Sequence, residues 1–155
     1  MTSRALAVLA ALSLAACSPS LIPGTGAKDT RDNRAIYGVI RAYAEAMQRK
    51  DAAAVLALVA PDYFDNGGTP SPDDDLDRAG LERVLAADLG KVDSLKLEIG
   101  VKTIEVSGDR AQAELFYDDY FRVLTPAGAV PKRTSDLQRM RFRKIGAEWK
   151  ILSGL

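Results

Sequence analysis

The strongest constraint on the fold is the alternation of apolar and polar residues that runs through the C-terminal part of the chain. This pattern, interrupted by short turns containing glycine or proline, predicts four strands at 95–106, 111–124, 133–144 and 148–153. Strands joined by turns this short pair antiparallel with their neighbours. The alternation changes parity between Val101 and Ile104, which predicts a β-bulge near Thr103. We therefore expect an antiparallel meander.

Three helical segments are expected before this meander. The first has apolar residues at helical spacing along one face, namely Ile36, Val39, Ile40, Tyr43 and Met47. Asp29 or Thr30 is suited to cap this helix, while Asp51 and Asp77 are suited to cap two shorter ones. Gly90 is suited to end the third helix. The order of elements predicts an α+β domain with three N-terminal helices packed on a curved antiparallel sheet.

Composition narrows the function. The chain has 155 residues, of which 47% are hydrophobic and 27% charged, as in a globular protein with one domain. Its 21 basic and 21 acidic residues balance, so we expect no nucleic-acid partner. With no histidine and one cysteine, the chain has no histidine-dependent catalytic triad, no histidine-bearing metal site and no internal disulfide. We predict no metal site and no cofactor.

The N-terminal residues have the layout of a secretory signal. Arg4 precedes an apolar run over residues 5–16, which is shorter than the roughly 20 residues of a membrane-spanning helix. The run ends in Leu14-Ala15-Ala16-Cys17, which resembles the lipobox of bacterial lipoproteins. The resemblance implies cleavage before Cys17 and lipidation of its thiol. The other interpretations are an ordinary signal peptide with a chance cysteine and a buried apolar helix.

The predicted organisation is a signal peptide at 1–16, a lipidated cysteine with a flexible tether at 17–28, and a domain at 29–155. The tether is predicted from its content of serine, proline, glycine and threonine. Lipidation implies a protein of the cell envelope, anchored in a membrane through Cys17. In a Gram-negative organism Ser18 after the cysteine resembles lipoproteins that are sorted to the outer membrane and face the periplasm.

Several segments of the domain resemble the nuclear transport factor 2-like superfamily, which includes polyketide-cyclase-like (SnoaL-like) and ketosteroid-isomerase-like proteins. The segments are 49–64, Gly80-Leu81-Glu82 and Glu148-Trp149-Lys150-Ile151. The resemblance implies a cone-shaped, cystatin-like α+β barrel with a pocket between helices and sheet. It also implies that a homodimer can form through the sheet.

The parity of the strands predicts which side chains line that pocket. In strand 111–124 the odd-numbered residues are the more apolar, so they should face the helices and carry Tyr117 and Asp119 inward. Met140 and Phe142 set the inward parity of the next strand, which includes two polar side chains. The predicted ligand-binding pocket comprises Tyr43, Met47, Tyr63, Tyr117, Asp119, Asp136, Gln138 and Trp149.

Two functions fit such a pocket, whereas a domain whose cone is filled by its own side chains would be a pure interaction subunit. We expect an envelope lipoprotein whose cone binds a small apolar or amphipathic ligand, or docks a partner, without catalysis. The alternative is an isomerase, cyclase or dehydratase, because a carboxyl such as Asp119 in an apolar pocket can act as general acid or base. Tyr117 could then stabilise an oxyanion. A structural role, with Asp119 paired to Arg139 or Arg141, is the competing interpretation.

Other features have both structural and functional interpretations. The acidic run 73–77 lacks the glycine and distal glutamate of a calcium-binding loop, and a solvated loop that ends in a helix cap is the simpler reading. Arginines 139, 141 and 143 form an outward row or an anion site. Phe116 and Tyr120 lie on the outward parity, where they form either a dimer patch or cross-strand packing.

Overall fold

The computed structural model of the protein describes residues 20–155. The predicted signal peptide and Cys17 lie outside the described residues. The elements are α1 (Arg31–Gln48), α2 (Ala52–Ala57), β1 (Phe64–Asp65), β2 (Leu76–Asp77), α3 (Arg78–Lys91), β3 (Val92–Ser107), β4 (Arg110–Thr125), β5 (Gly128–Ile145) and β6 (Glu148–Ser153). The predicted α+β class, with three helices on a curved antiparallel sheet, is confirmed.

The helices begin at the predicted capping residues. The side chains of Thr30, Asp51 and Asp77 each accept a hydrogen bond from a backbone N–H three residues later. The prediction that Gly90 ends the third helix is wrong. The helix continues to Lys91 and passes directly into β3, with Val92 in extended conformation.

The strands form the predicted meander. The sheet has the order β3-β4-β5-β6 with every neighbouring pair antiparallel. The β3–β4 register shifts between Val101 and Thr103, which confirms the bulge. The inward parity of β4 is also confirmed, because Ala113, Leu115 and Tyr117 are buried. The helices pack mainly against β3 and β6, and the core lies between them and this face of the sheet.

Among the described residues, one long edge of the sheet has no strand beside it. β6 pairs only with residues 141–145 of β5, so within the described part of the chain residues 128–139 of β5 pair with β4 alone. The chain turns away from this edge at Gly154, where φ is 96° and a side chain would overlap the carbonyl oxygen of Arg139. The far half of the β4–β5 hairpin therefore extends beyond the last strand.

The segment before α1 packs against the domain. Ile22 and Ala27 are buried in the core, and Leu21 forms a β-bridge with Lys28. Gly26 donates its N–H to Val101 O at 3.0 Å, an approach that a side chain would block by overlapping the Lys102 carbonyl. Residues 20–28, which the composition assigns to the flexible tether, are thus largely folded onto β3. No helix within residues 20–155 is long and apolar enough to span a bilayer.

Candidate functional site

Three buried tyrosines and one half-buried aspartate lie on the inner side of the sheet and helices. Tyr43 on α1, Tyr63 after α2 and Tyr117 on β4 are 7%, 2% and 5% exposed. Asp119 follows Tyr117 on the same face of β4 and is half-buried. In the sheet register it lies opposite Leu97 on β3. The period-two geometry of the strand therefore places the carboxyl of Asp119 on the same face as Tyr117.

Two atoms of this cluster are buried without a hydrogen-bond partner. They are the hydroxyl oxygen of Tyr117 and the Oδ1 atom of Asp119, and neither has a partner within residues 20–155. Leaving a buried polar group unpaired costs about 1–3 kcal/mol, so native proteins pair nearly all such groups. Two buried atoms two residues apart on one strand therefore keep unused hydrogen-bonding capacity.

The electrostatics show that these groups lie close together. Desolvation raises the pKa of Asp119, and the neighbouring charge of Asp118 raises it further. Desolvation also raises the pKa of Tyr43, followed by the charge of Asp119. The pKa of Tyr117 is raised by desolvation and then by Tyr43 and Asp119. All three groups therefore favour their neutral forms more strongly than they would in water.

The other predicted wall residues surround this cluster only in part. Met47 is half-buried and packs against the core. Tyr63 is tied to the C-terminal residues, because its hydroxyl accepts the Leu155 N–H at 3.4 Å. Desolvation, with the charge of Asp65, raises the pKa of Tyr63 to about 12.

Asp136 and Gln138 share the inward face but are exposed. They lie opposite Tyr117 and Leu115 in the β4–β5 register, so the parity assignment is correct. They remain in solvent because the helices pack mainly on β3 and β6 and do not cover this part of β5. The Asp136 carboxylate accepts the N–H of Leu137 at 2.7 Å. Neither residue is part of the buried cluster.

Trp149 is buried at the opposite end of the sheet. It pairs with Lys144 in the β5–β6 register, and its indole N–H donates to Asp32 Oδ1 at 3.0 Å. Lys144 Nζ lies 2.8 Å from the same oxygen. Eight residues of β5 separate Lys144 from Asp136, a distance of roughly 26 Å along a strand. Trp149 therefore fastens the start of α1 to the β5–β6 hairpin and is remote from Tyr117.

Arg139 and Arg141, the arginines considered as ion-pair partners of Asp119, lie on the outer face of the sheet. Arg139 forms an ion pair with Glu114 at 3.4 Å on the outer face. Within residues 20–155 Asp119 has no ion pair, whereas its neighbour Asp118 binds Arg133 at 2.9 Å. Hydrogen bonds from Arg133 and Ser135 lower the pKa of Asp118 to about 2. The two adjacent aspartates thus have opposite environments on opposite faces of one strand.

Asp119 lies where the interior opens to solvent. Along the inner face of β4, Leu115 and Tyr117 are buried, Phe121 and Val123 are half-buried, and the following turn is exposed. Five surface concavities of about 300–580 Å3 are lined by other residues.

The outer face of the sheet carries an apolar pair that the sequence revealed only in part. Phe116 is 43% exposed and lies opposite Leu137, which is 60% exposed. Both line the concavity of about 580 Å3 together with Gly24 and Gly100. The sequence indicated Phe116 and Tyr120, while Leu137 could have been found from the outward parity of odd-numbered residues in β5.

The acidic loop has local structural roles. The carboxylate of Asp74 accepts the Thr69 hydroxyl at 2.9 Å, and Asp77 caps α3. No group of three histidine, cysteine, aspartate or glutamate side chains within residues 20–155 is arranged to hold a metal ion.

Comparison with solved structures identifies the fold. A protein from Streptomyces avermitilis, proposed to be a dehydratase of the nuclear transport factor 2-like family, superposes with a TM-score of 0.63 at 18% identity, covering 79% of this chain and 93% of that chain. The domain has the nuclear transport factor 2-like fold. No family model and no curated protein matches the sequence.

Two further structures with this fold have names that refer to chemistry. A ketosteroid isomerase-like protein from Erwinia carotovora atroseptica has a TM-score of 0.65 at 19% identity, with 79% of this chain and 92% of that chain covered. A protein from Novosphingobium aromaticivorans, proposed to be a scytalone dehydratase, has a TM-score of 0.64 at 15% identity, with 79% and 80% covered. Identities this low establish the fold alone.

Proposed function

We propose that the nuclear transport factor 2-like domain binds a small amphipathic molecule at the inner end of β4. The observation that carries this proposal is the pair of unpartnered buried atoms, the Tyr117 hydroxyl and Asp119 Oδ1. A ligand hydroxyl or carbonyl can satisfy both, since Tyr117 donates and Asp119 accepts when ionised or donates when protonated. Tyr43 and Met47 supply apolar surface for the rest of the molecule.

The ligand proposal is tested by native mass spectrometry. The mature chain with Cys17→Ser, exported with an ordinary cleavable signal, is purified without detergent from its own host. We expect a retained small molecule, which Tyr117→Phe and Asp119→Asn lose. Tyr120→Phe and Asp136→Asn are matched controls on the exposed surface and should retain it. Retention by all four variants would place the ligand elsewhere and reject the proposal.

A second candidate is proton-transfer catalysis at the same position. The observation that favours it is the raised pKa of Asp119, which has no cationic partner within the described chain. Asp119 would take a proton from carbon next to a carbonyl group, and the Tyr117 hydroxyl would donate a hydrogen bond to the developing oxyanion. An isomerase or dehydratase of this kind fits the names of two structural neighbours.

Once a ligand is identified, turnover separates the two candidates. If the ligand is released unchanged by the wild-type protein, the domain is a carrier or receptor. If the wild-type protein converts it, Asp119→Asn should bind it without conversion, because the amide accepts no proton at neutral pH.

We further propose that the protein is an envelope lipoprotein anchored through Cys17. The support is the sequence Leu14-Ala15-Ala16-Cys17 after a charged and then apolar leader. Two or three acyl chains anchor a protein stably, since each buried CH₂ contributes about 0.8 kcal/mol. The test is the mass of the N-terminal peptide from host membranes, with Cys17→Ser as the control that should appear in the soluble fraction.

We also propose that the domain forms a homodimer through the outer face of the sheet. The support is the exposed apolar pair Phe116 and Leu137 beside the charged residues of the same face. Sedimentation equilibrium should show a dimer that Leu137→Lys converts to a monomer. Val84→Lys, at an apolar side chain of α3 that is 40% exposed and away from the sheet's outer face, is the control that should remain dimeric.

A further inference from the structure

We infer that the end of the domain formed by residues 20–28, the start of α1 and Lys102 is a surface that binds the anionic headgroups of the anchoring membrane. The inference rests on the proposed lipidation of Cys17. It goes beyond lipidation because it assigns a second contact with the membrane and an orientation of the domain above it.

The link between the proposed lipid and the domain is short. Only three residues lie between Cys17 and Leu21, which forms a β-bridge with Lys28, and Ile22 is already buried in the core. The four Cα–Cα steps from Cys17 to Leu21 span at most about 14 Å when fully extended. The end of the domain that carries Leu21 is therefore held at the headgroup layer.

Unpaired positive charges lie around the end of the domain that carries Leu21. Lys28, Arg31 and Lys102 are exposed, and none has an ion pair within residues 20–155. The backbone of Gly26 packs directly on Lys102, which brings that strand residue beside the segment carrying Lys28. A chain with balanced total charge thus presents several unpaired cations beside its proposed anchor.

The acidic residues of this region do not cancel those cations. Asp29 is bound by Arg34, and Asp32 is bound by Lys144. Glu105 is exposed and lines the same concavity as Lys28. Setting Glu105 against Lys28, Arg31 and Lys102 leaves a net charge of two positive units. Anionic lipid surfaces attract such charges when they lie within a Debye length, about 8 Å at physiological ionic strength.

An exposed apolar side chain lies at the same end of the domain. Leu21 is 51% exposed, although it lies next to the buried Ile22. An apolar side chain among lysines and arginines is typical of surfaces that lie in the membrane interface. By contrast, the hairpin tip with Leu124 lies at the other end of the sheet, near Val92. Val92 is roughly 30 Å along β3 from Val101, the residue to which Gly26 is hydrogen-bonded. The membrane contact is therefore assigned to the Leu21 end.

The test uses the unlipidated mature chain with Cys17→Ser and sedimentation with vesicles. Vesicles of phosphatidylcholine are compared with vesicles that also contain phosphatidylglycerol. We expect binding only to the anionic vesicles, and weaker binding at higher salt. Lys28→Ser with Lys102→Ser should weaken binding about 30-fold, since each cation near an anionic surface contributes about fivefold. Glu105→Gln should strengthen it by about fivefold.

The matched control removes two cations from the hairpin end, Arg122→Ser with Lys132→Ser. It changes the total charge equally and should leave vesicle binding unchanged. The inference is overturned if both double variants lose binding equally, or if the unlipidated chain does not distinguish the two kinds of vesicle. Because Cys17 is replaced in every sample, these outcomes are independent of whether the native protein is lipidated, which the N-terminal mass decides separately.

Discussion

Removal of the Tyr117 hydroxyl should stabilise the free protein, although most substitutions of buried residues destabilise. The Tyr117 side chain is 5% exposed and its hydroxyl oxygen has no hydrogen-bond partner within the described residues. Tyr117→Phe removes an unpaired polar group whose burial costs about 1–3 kcal/mol and leaves the ring in place. We expect a free energy of unfolding about 1 kcal/mol higher than in the wild type.

Tyr63→Phe is the matched comparison. Tyr63 is also buried, but its hydroxyl accepts the N–H of Leu155. Loss of that hydrogen bond should lower the free energy of unfolding by about 0.5–1.5 kcal/mol. The two tyrosine-to-phenylalanine substitutions should therefore have effects of opposite sign.

The assay is urea unfolding followed by the fluorescence of Trp149, the only tryptophan in the chain. A calorimetric Tm higher by roughly 3–5 °C would accompany a gain of 1 kcal/mol in a domain of this size. If Tyr117→Phe instead destabilises the protein by 1 kcal/mol or more, its hydroxyl is paired in the free state. The proposed ligand site would then lose its main structural support.

Three further predictions concern single positions. Because burial raises the pKa of Asp119, its carboxyl contributes stability below its usual pKa of 3.8, and this stability is lost as pH rises. Asp119→Asn should therefore be more stable than the wild type at neutral pH, and unfolding midpoints measured at a series of pH values should show this difference in stability disappearing in acid. Hydrogen bonds from Lys144 and Trp149 lower the pKa of Asp32, so the stability that this carboxylate contributes above pH 3.8 should be lost as pH falls. Unfolding followed by Trp149 fluorescence should show this loss in the wild type and not in Asp32→Asn. Gly26→Ala should destabilise by about 1–3 kcal/mol and speed tryptic cleavage after Lys28, whereas Gly38→Ala on the open surface of α1 should stabilise by up to about 1 kcal/mol.

The fold could be predicted from the sequence because local signals and long-range packing agree. The observed meander follows the alternation along the strands, and the observed bulge follows the parity change near Thr103. The observed helix starts follow the capping residues Thr30, Asp51 and Asp77. Alternation and capping depend only on residues close together in the sequence. Alternation along β4 therefore suffices to locate Tyr117 and Asp119 on the inner face, where the structure has them.

The extent of the site could not be predicted, because parity gives the face of a strand and not what covers it. Asp136 shares the face of Tyr117 yet is exposed, since the helices of residues 20–155 pack mainly on β3 and β6. Trp149 is buried, but its position along the sheet depends on the register of a short last strand. Residues 20–28 have the composition of a linker, and tertiary contacts fix them to the domain, namely the burial of Ile22 and Ala27 and the close approach of Gly26 to Lys102.

The free edge of β5 has a consequence for the solubility of the protein. Lys144 N–H donates to the carbonyl oxygen of Asp109 on the β4 side, so the even-numbered backbone groups of β5 face β4. The odd-numbered ones face the other edge, where β6 pairs with residues 141–145 only. Pro131 is odd-numbered and offers no N–H there, while the N–H of Leu137 is occupied by the Asp136 carboxylate. Two of the donors that a foreign strand would need are therefore missing, and the long hairpin resists edge-to-edge aggregation although no strand of residues 20–155 covers it.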